Sequence, residues 1–214
     1  MLRITDNGNS EYVIIIRKNH SASEKTAAEE LAAYLKKITD AEIPVKTDDE
    51  KKTDHEIVIG FTNRGGKGKK ELGEEGFTIK TEGKRLFILG SEVRGALYGV
   101  YSFLEKCCGC RFYTDTCERV PQMNMLTVPE IDCTELPGFE YRNVYWFAQG
   151  GEMISAKLKN NGGMGHELTE RVGGGINYIG SFCHTFPDLG ETGNVWDMPC
   201  LSDEAMYQTV LKNV

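Results

Sequence analysis

The sequence predicts an α/β protein in two parts. A sheet-and-helix layer spans residues 1–135, and from residue 138 a strand–helix–strand–helix texture amounts to the first, incomplete part of a (β/α)8 barrel. Three observations carry this reading. Tyr12-Val13-Ile14-Ile15-Ile16 is an unbroken, mostly β-branched run, the signature of a strand buried on both faces. Immediately after it, Ala27, Ala28, Leu31, Leu35 and Ile38 recur at helical spacing. Past Thr114 the pattern thins through Pro121, Pro129 and Pro137, and beyond Pro137 aromatic and Gly-rich stretches replace it.

The elements follow in order. Ser21 and Glu24 form a capping box that opens the first helix, about four turns long. Pro44-Val45-Lys46-Thr47 and Glu56-Ile57-Val58-Ile59 are short strands on either side of a solvated linker, giving a β-α-β start. The runs at residues 76–80 and 85–89 flank Glu82-Gly83, a hairpin signal. A second helix presents Val93, Ala96, Leu97, Val100, Phe103, Leu104 and Cys107 on one face, with Gly109 suited to a left-handed cap. Residues 121–137 read as a linker. Residues 140–147 then read as an aromatic strand, followed by a short helix at 153–159. A last helix is N-capped by Ser202, with Asp203 and Glu204 in its first turn.

Composition narrows the function classes. The 214 residues carry a formal charge of -7, with Lys and Arg scattered, so the basic footprint of a nucleic-acid binder is missing. No stretch approaches the ~20 apolar residues of a membrane span. The first residues lack a charged-then-apolar signal pattern, and seven cysteines point to free thiols in a reducing, cytoplasmic setting.

Several phrases together resemble the N-terminal domain of bacterial α-glucuronidases and similar glycoside hydrolases. They are Ser23-Glu24-Lys25 through Glu30-Leu31, Ile57-Val58-Ile59-Gly60, Gly76-Phe77-Thr78-Ile79 and, above all, Arg94-Gly95-Ala96-Leu97-Tyr98-Gly99-Val100-Tyr101. Gly109-Cys110-Arg111-Phe112-Tyr113 and Phe139-Glu140-Tyr141-Arg142 extend the resemblance into a first barrel strand. Residues 173–186 and Pro199-Cys200-Leu201-Ser202 resemble a group that joins this domain to a barrel. The resemblance implies a non-catalytic α/β layer packed on a barrel, action on uronate-containing glycans, and acid and base carboxylates on later barrel strands, outside this chain. The region between His184 and Pro199 departs from that group, where a longer acidic and aromatic loop is usual.

Candidate sites follow from position. Glycoside cleavage takes two carboxyl groups ~5–9.5 Å apart. Glu152, Glu167, Glu170, Asp188, Glu191 and Asp197 make no pattern of a paired site and read as solvated loop acids, so no catalytic residue is assigned. His184 ends an apolar run where a barrel mouth belongs and is a candidate for contacting sugar, as is His166 after its glycines. Tyr145 and Trp146 end the first barrel strand, where an aromatic face suits a pyranose; strand alternation admits one of the two. Arg142 reads as an ion-pair partner at the domain junction.

Cys107 and Cys110 have C-x-x-C spacing, which suits zinc or a redox pair, but no second ligand pair lies at a regular distance. Both read as packing residues, and neither metal nor cofactor is expected. The glycines and lysines at residues 65–69 lack phosphate-loop spacing. The expected partner is a glycan, with self-association through open barrel edges as a further expectation. The alternative is a stand-alone carbohydrate-binding or interaction module.

Overall fold

The computed structural model describes residues 1–65, 70–163, 166–176, 185–194, 196–197 and 199–213. Strand β1 (Leu2–Asp6) precedes β2 (Val13–Ile16), after which helix α1 (Ala22–Thr39) leads to β3 (Val45–Thr47) and β4 (Glu56–Ile59). The hairpin β5 (Phe77–Glu82) and β6 (Arg85–Gly90) leads into α2 (Gly95–Lys106). Four short strands follow: β7 (Arg111–Phe112), β8 (Glu118–Arg119), β9 (Met125–Val128) and β10 (Asp132–Glu135). Helices α3 (Glu152–Lys157), α4 (Thr185–Leu189) and α5 (Glu204–Asn213) complete the elements.

The main sheet has the order β10-β5-β6-β4-β2-β3. Strands β3, β2, β4 and β6 run parallel, while β5 and β10 are added antiparallel. Alternation divides its side chains cleanly. Ile14, Ile16, Ile57, Ile59, Leu86 and Ile88 face α1 and α2 in the main core. Val13, Ile15, Val58, Phe87 and Leu89 form a second apolar cluster on the opposite face, joined by Phe61. Burial on both faces explains why these strands read as continuous apolar runs.

The expected capping box is present. Ser21 Oγ accepts from Glu24 N at 3.1 Å, and Glu24 Oε2 accepts from Ser21 N at 2.9 Å. Gly99 brings the backbone of helix α2 against Ile88 and Phe77; a Cβ there would sit 2.8 Å from Ile88 Cγ2.

Three expectations are corrected. The stretch at residues 121–137 contains strands β9 and β10, not a linker. Strand β9 pairs with β1, and β10 pairs with β5, so its order comes from partners more than fifty residues away. Residues 140–147 form no paired strand; their backbone groups are met one at a time by a neighbouring asparagine and by loops, and residues 147–149 are a 3-10 turn. Helix α5 is capped by Asp203, whose Oδ1 accepts from Met206 N at 3.0 Å, one residue later than expected.

Two compact units result, Met1–Ile176 and Asn177–Val214. In the first, Ile154, Ala156, Leu168 and Val172 share the core of α1 and α2, so this unit runs past the expected boundary at 135–138. In the second, α4 packs with α5, and Asn213 Nδ2 donates to the Leu189 carbonyl at 2.9 Å. No helix among the described residues is long and apolar enough to cross a membrane.

Candidate functional site

An open parallel sheet takes ligands outside the carboxyl ends of its strands, where the strand order reverses. Here that point lies between β2 and β4: the chain leaves β2 through α1 to reach β3 on one side and returns to β4 on the other. The crevice is filled by the protein itself. The Glu24 carboxylate, 2% exposed, accepts from Arg17 Nε at 2.8 Å, and Arg17 continues to Glu92. Ser21 Oγ donates to the Glu92 carbonyl at 2.6 Å. Gly60, at φ 70°, is the only residue type this arrangement admits beside Glu24, since a Cβ there would sit 2.5 Å from Oε1. The capping box therefore serves two ends, closing the first turn of α1 and occupying the sheet's ligand position.

A second arrangement forms where residues 139–176 cross the outer side of the helix layer. Its hub is Glu75, 8% exposed. Oε1 accepts from Arg94 Nε and Asn161 Nδ2, each at 2.8 Å, and Oε2 accepts from Arg142 Nη2 at 2.6 Å. Arg94 also donates to the Gly173 carbonyl at 2.9 Å, and Tyr98 donates its hydroxyl to the Asn160 carbonyl at 2.9 Å. The side-chain amide of Asn161 accepts from Arg142 N at 2.8 Å and donates to the Glu140 carbonyl at 2.6 Å. Those are the two groups that a backbone neighbour in a parallel ladder would engage.

The Asn161 and Gly162 amides both reach the Arg142 carbonyl at 3.0 Å, and the Ile176 amide reaches the Asn161 carbonyl at 2.7 Å. Three backbone passes are thus tied together by hydrogen bonds, separated by α3 and by a 3-10 turn at Glu170–Val172. A second clamp holds the far end of the first pass. Asp115 N donates to the Ala148 carbonyl at 3.2 Å, and Gln149 Nε2 donates to the Tyr113 carbonyl at 2.7 Å.

The sequence candidates fall as follows. Tyr145 and Trp146, at the end of the first pass, are 58% and 57% exposed. The expected alternation, one inward and one outward, does not hold, because this backbone is not a paired strand. His166 follows the second pass, half-buried, with Nε2 3.4 Å from Ser155 Oγ. His184 lies outside the described residues. Arg142 is the ion-pair partner expected of it, bonded to Glu75. Of the loop acids, Glu152 accepts from Thr169 N at 2.9 Å, and Glu191 accepts from Asn213. Glu75, Asn160 and Asn161 carried no sequence signal, since the partners that build this arrangement lie 19 or more residues away.

Beside the second clamp, a groove of about 340 Å³ opens between α1, α3 and the β7–β8 hairpin. Glu118 centres it, accepting from Lys157 at 3.0 Å, from Lys37 at 3.2 Å and from the Tyr34 hydroxyl. Burial pushes the Glu118 carboxyl up, but these hydrogen bonds and the lysine charges outweigh it and hold the group below its ordinary value. Cys108 and Cys110 are fully buried in the core. Burial raises both thiols, Cys110 to about 11, so they pack as small apolar residues.

Residues 4–103 match the family described as the glycosyl hydrolase family 67 N-terminus. Among solved structures, the chain is similar to a family GH115 4-O-methyl-α-glucuronidase with specificity for decorated arabinogalactans. That likeness has 13% identity and TM-score 0.47, covering 66% of this chain and 19% of that one. It is also similar to the GH20 β-N-acetylhexosaminidase from Streptomyces coelicolor A3(2), at 17% identity and TM-score 0.43, with 66% and 24% covered. A mutant Streptomyces plicatus β-hexosaminidase in complex with its product GlcNAc gives 15% identity and TM-score 0.42 over the same shares. The chain spans about a quarter or less of the length of these structures. No curated protein matches it.

Proposed function

We propose that this chain, with an α-glucuronidase-type N-terminal domain over residues 4–103, is the N-terminal portion of a glycoside hydrolase whose catalytic carboxylates lie elsewhere in a longer polypeptide. In this reading residues 1–135 are a non-catalytic α/β layer, and residues from 138 onward begin a (β/α)8 barrel. The observation that carries it is the set of three backbone passes, each hydrogen-bonded to the one before and separated by helical turns, clamped to the first domain by Glu75. The filled crevice at β2 and β4 supports a role other than catalysis for the sheet itself. Tyr145, Trp146 and His166 are proposed sugar contacts because they stand at or just after the ends of the first two passes, where barrel sites are built; His184, outside the described residues, is proposed from its sequence position after an apolar run. A uronate-containing glycan is the proposed substrate class.

The test is activity of the full-length coding sequence on aryl uronides and on uronate-branched xylo-oligosaccharides, beside the 214-residue chain. Turnover by the longer product and none by the chain is expected. Turnover by the chain alone, abolished by one carboxylate substitution, overturns the placement of catalysis. A stop codon directly after Val214 would favour a stand-alone binding module.

A further inference from the structure

We infer that the tip of the β7–β8 hairpin, through Tyr113 and Asp115, forms a rim with Trp146 and Gln149 that binds the neutral pyranose units of a glycan; this rests on the reading that residues from 138 onward begin a carbohydrate-active barrel.

Two hydrogen bonds fix the juxtaposition, one between backbones and one from the Gln149 side chain. The Asp115 amide and the Tyr113 carbonyl engage Ala148 and Gln149, in the turn that directly follows Trp146. The Glu75 clamp grips the opposite end of the same pass, so the hairpin reaches the end where a barrel presents its loops. Tyr113 is 49% exposed and Trp146 57% exposed, although aromatic side chains of this size ordinarily find cover. An aromatic face with hydrogen-bonding groups beside it matches a pyranose, which has an apolar face and a hydroxyl rim. Asp115 and Thr116 supply such groups and line the 340 Å³ groove next to the hairpin.

Charge decides between sugar classes. The groove is lined by three carboxylates, Glu30, Asp115 and Glu118, against two lysines, Lys37 and Lys157. Both lysines are already bonded to Glu118, so among the described residues that line the groove no cation is left over to receive a uronate. A neutral, hydroxyl-bearing unit fits that balance. The accessory domain would then hold the uncharged backbone of the glycan and leave its uronate branch to the barrel.

The experiment is calorimetric titration of the 214-residue chain with xylohexaose and, separately, with an acidic oligogalacturonate of equal length. Saturable binding of xylohexaose is expected. Tyr113→Ala should weaken it at least tenfold with an unchanged melting temperature, and Tyr113→Phe, which keeps the aromatic face, should retain it. Binding by Tyr113→Ala within twofold of the unaltered chain, while Trp146→Ala loses it, overturns the hairpin's part and leaves the barrel reading intact. Tighter binding of the acidic oligomer overturns the neutral class. No binding of either oligomer overturns the rim altogether, whereas the glycoside hydrolase reading stands or falls on turnover by the longer polypeptide.

Discussion

Glu75 is one carboxylate facing two guanidinium groups and a side-chain amide in a site nearly cut off from water. Removing one member of such a buried set leaves uncompensated charge, which typically costs about 3–5 kcal/mol. Glu75→Ala should therefore lower the denaturant midpoint by a corresponding amount and speed hydrogen exchange across residues 139–163. A loss below about 1 kcal/mol would mean that water or other carboxylates can replace it. Gly99 makes the opposite kind of demand. Alanine would be favoured in a helix by about 1 kcal/mol, yet its Cβ would sit 2.8 Å from Ile88 Cγ2 and 3.2 Å from Phe77 Cβ. Overpacking of about 1–3 kcal/mol outweighs that gain, so Gly99→Ala should lower the melting temperature. A higher one would show that α2 can lift off the sheet without penalty.

At the scale of elements, α1 and α2 hold the domain together by presenting tyrosines as well as aliphatic side chains. Tyr34, Tyr98 and Tyr101 are each about 2% exposed or less, and burial is the largest cause raising all three phenols above their ordinary value near 10. Nearby carboxylates add to the rise: Glu118 for Tyr34, Glu75 for Tyr98, Glu30 for Tyr101. The sign of the linkage follows. Below pH 10 both folded and unfolded chains carry neutral phenols, and the stabilisation is complete. Above it the unfolded chain ionises first, so stability falls as pH rises toward the folded values. Melting temperatures between pH 8 and 11 should drop past about pH 10. The tyrosinate absorbance of these residues should appear only with unfolding. Ionisation of all nine tyrosines near pH 10 in a still-folded chain would contradict the burial of these helices. Leu97, fully buried on α2, provides a second check, since Leu97→Ala should cost about 2–5 kcal/mol.

For the molecule as a whole, the core of the first unit is shared between the α/β layer and the passes that follow it. Residues 1–135 contain both helices and the complete sheet, so a chain of that length should fold cooperatively by itself. It should nevertheless melt below the 1–176 chain. Without the passes, Glu75 and Arg94 lose Arg142, Asn161 and the Gly173 carbonyl, and the surface that covers Ile154 and Val172 is left open. Differential scanning calorimetry of the two chains decides the matter. Equal melting temperatures would mean that the passes rest on the domain without stabilising it, and the absence of a cooperative transition in 1–135 would remove the boundary.

Local chemistry made much of the α/β layer legible. The Ser21 and Glu24 box, the apolar stripe of α1, the run at residues 12–16 and the turn at Gly83 each depend on neighbours a few residues away, and each is an element of the fold. The family resemblance was legible for the same reason: its phrases from Ser23 to Tyr101 are runs of contiguous residues inside the matched 4–103, while its phrases beyond residue 103 lie outside that match. What tertiary structure alone decided depends on partners far along the chain. Strands β1, β9 and β10 exist because of pairing across 52 to 126 residues, and no periodicity in four or five residues announces that. The filling of the sheet's crevice by Glu24 depends on Gly60 and Arg17 meeting in space. The clamp of Glu75 on Asn161 and Arg142 joins groups separated by 86 and 67 residues, and a buried charge reveals its partner only once the fold has brought the two together.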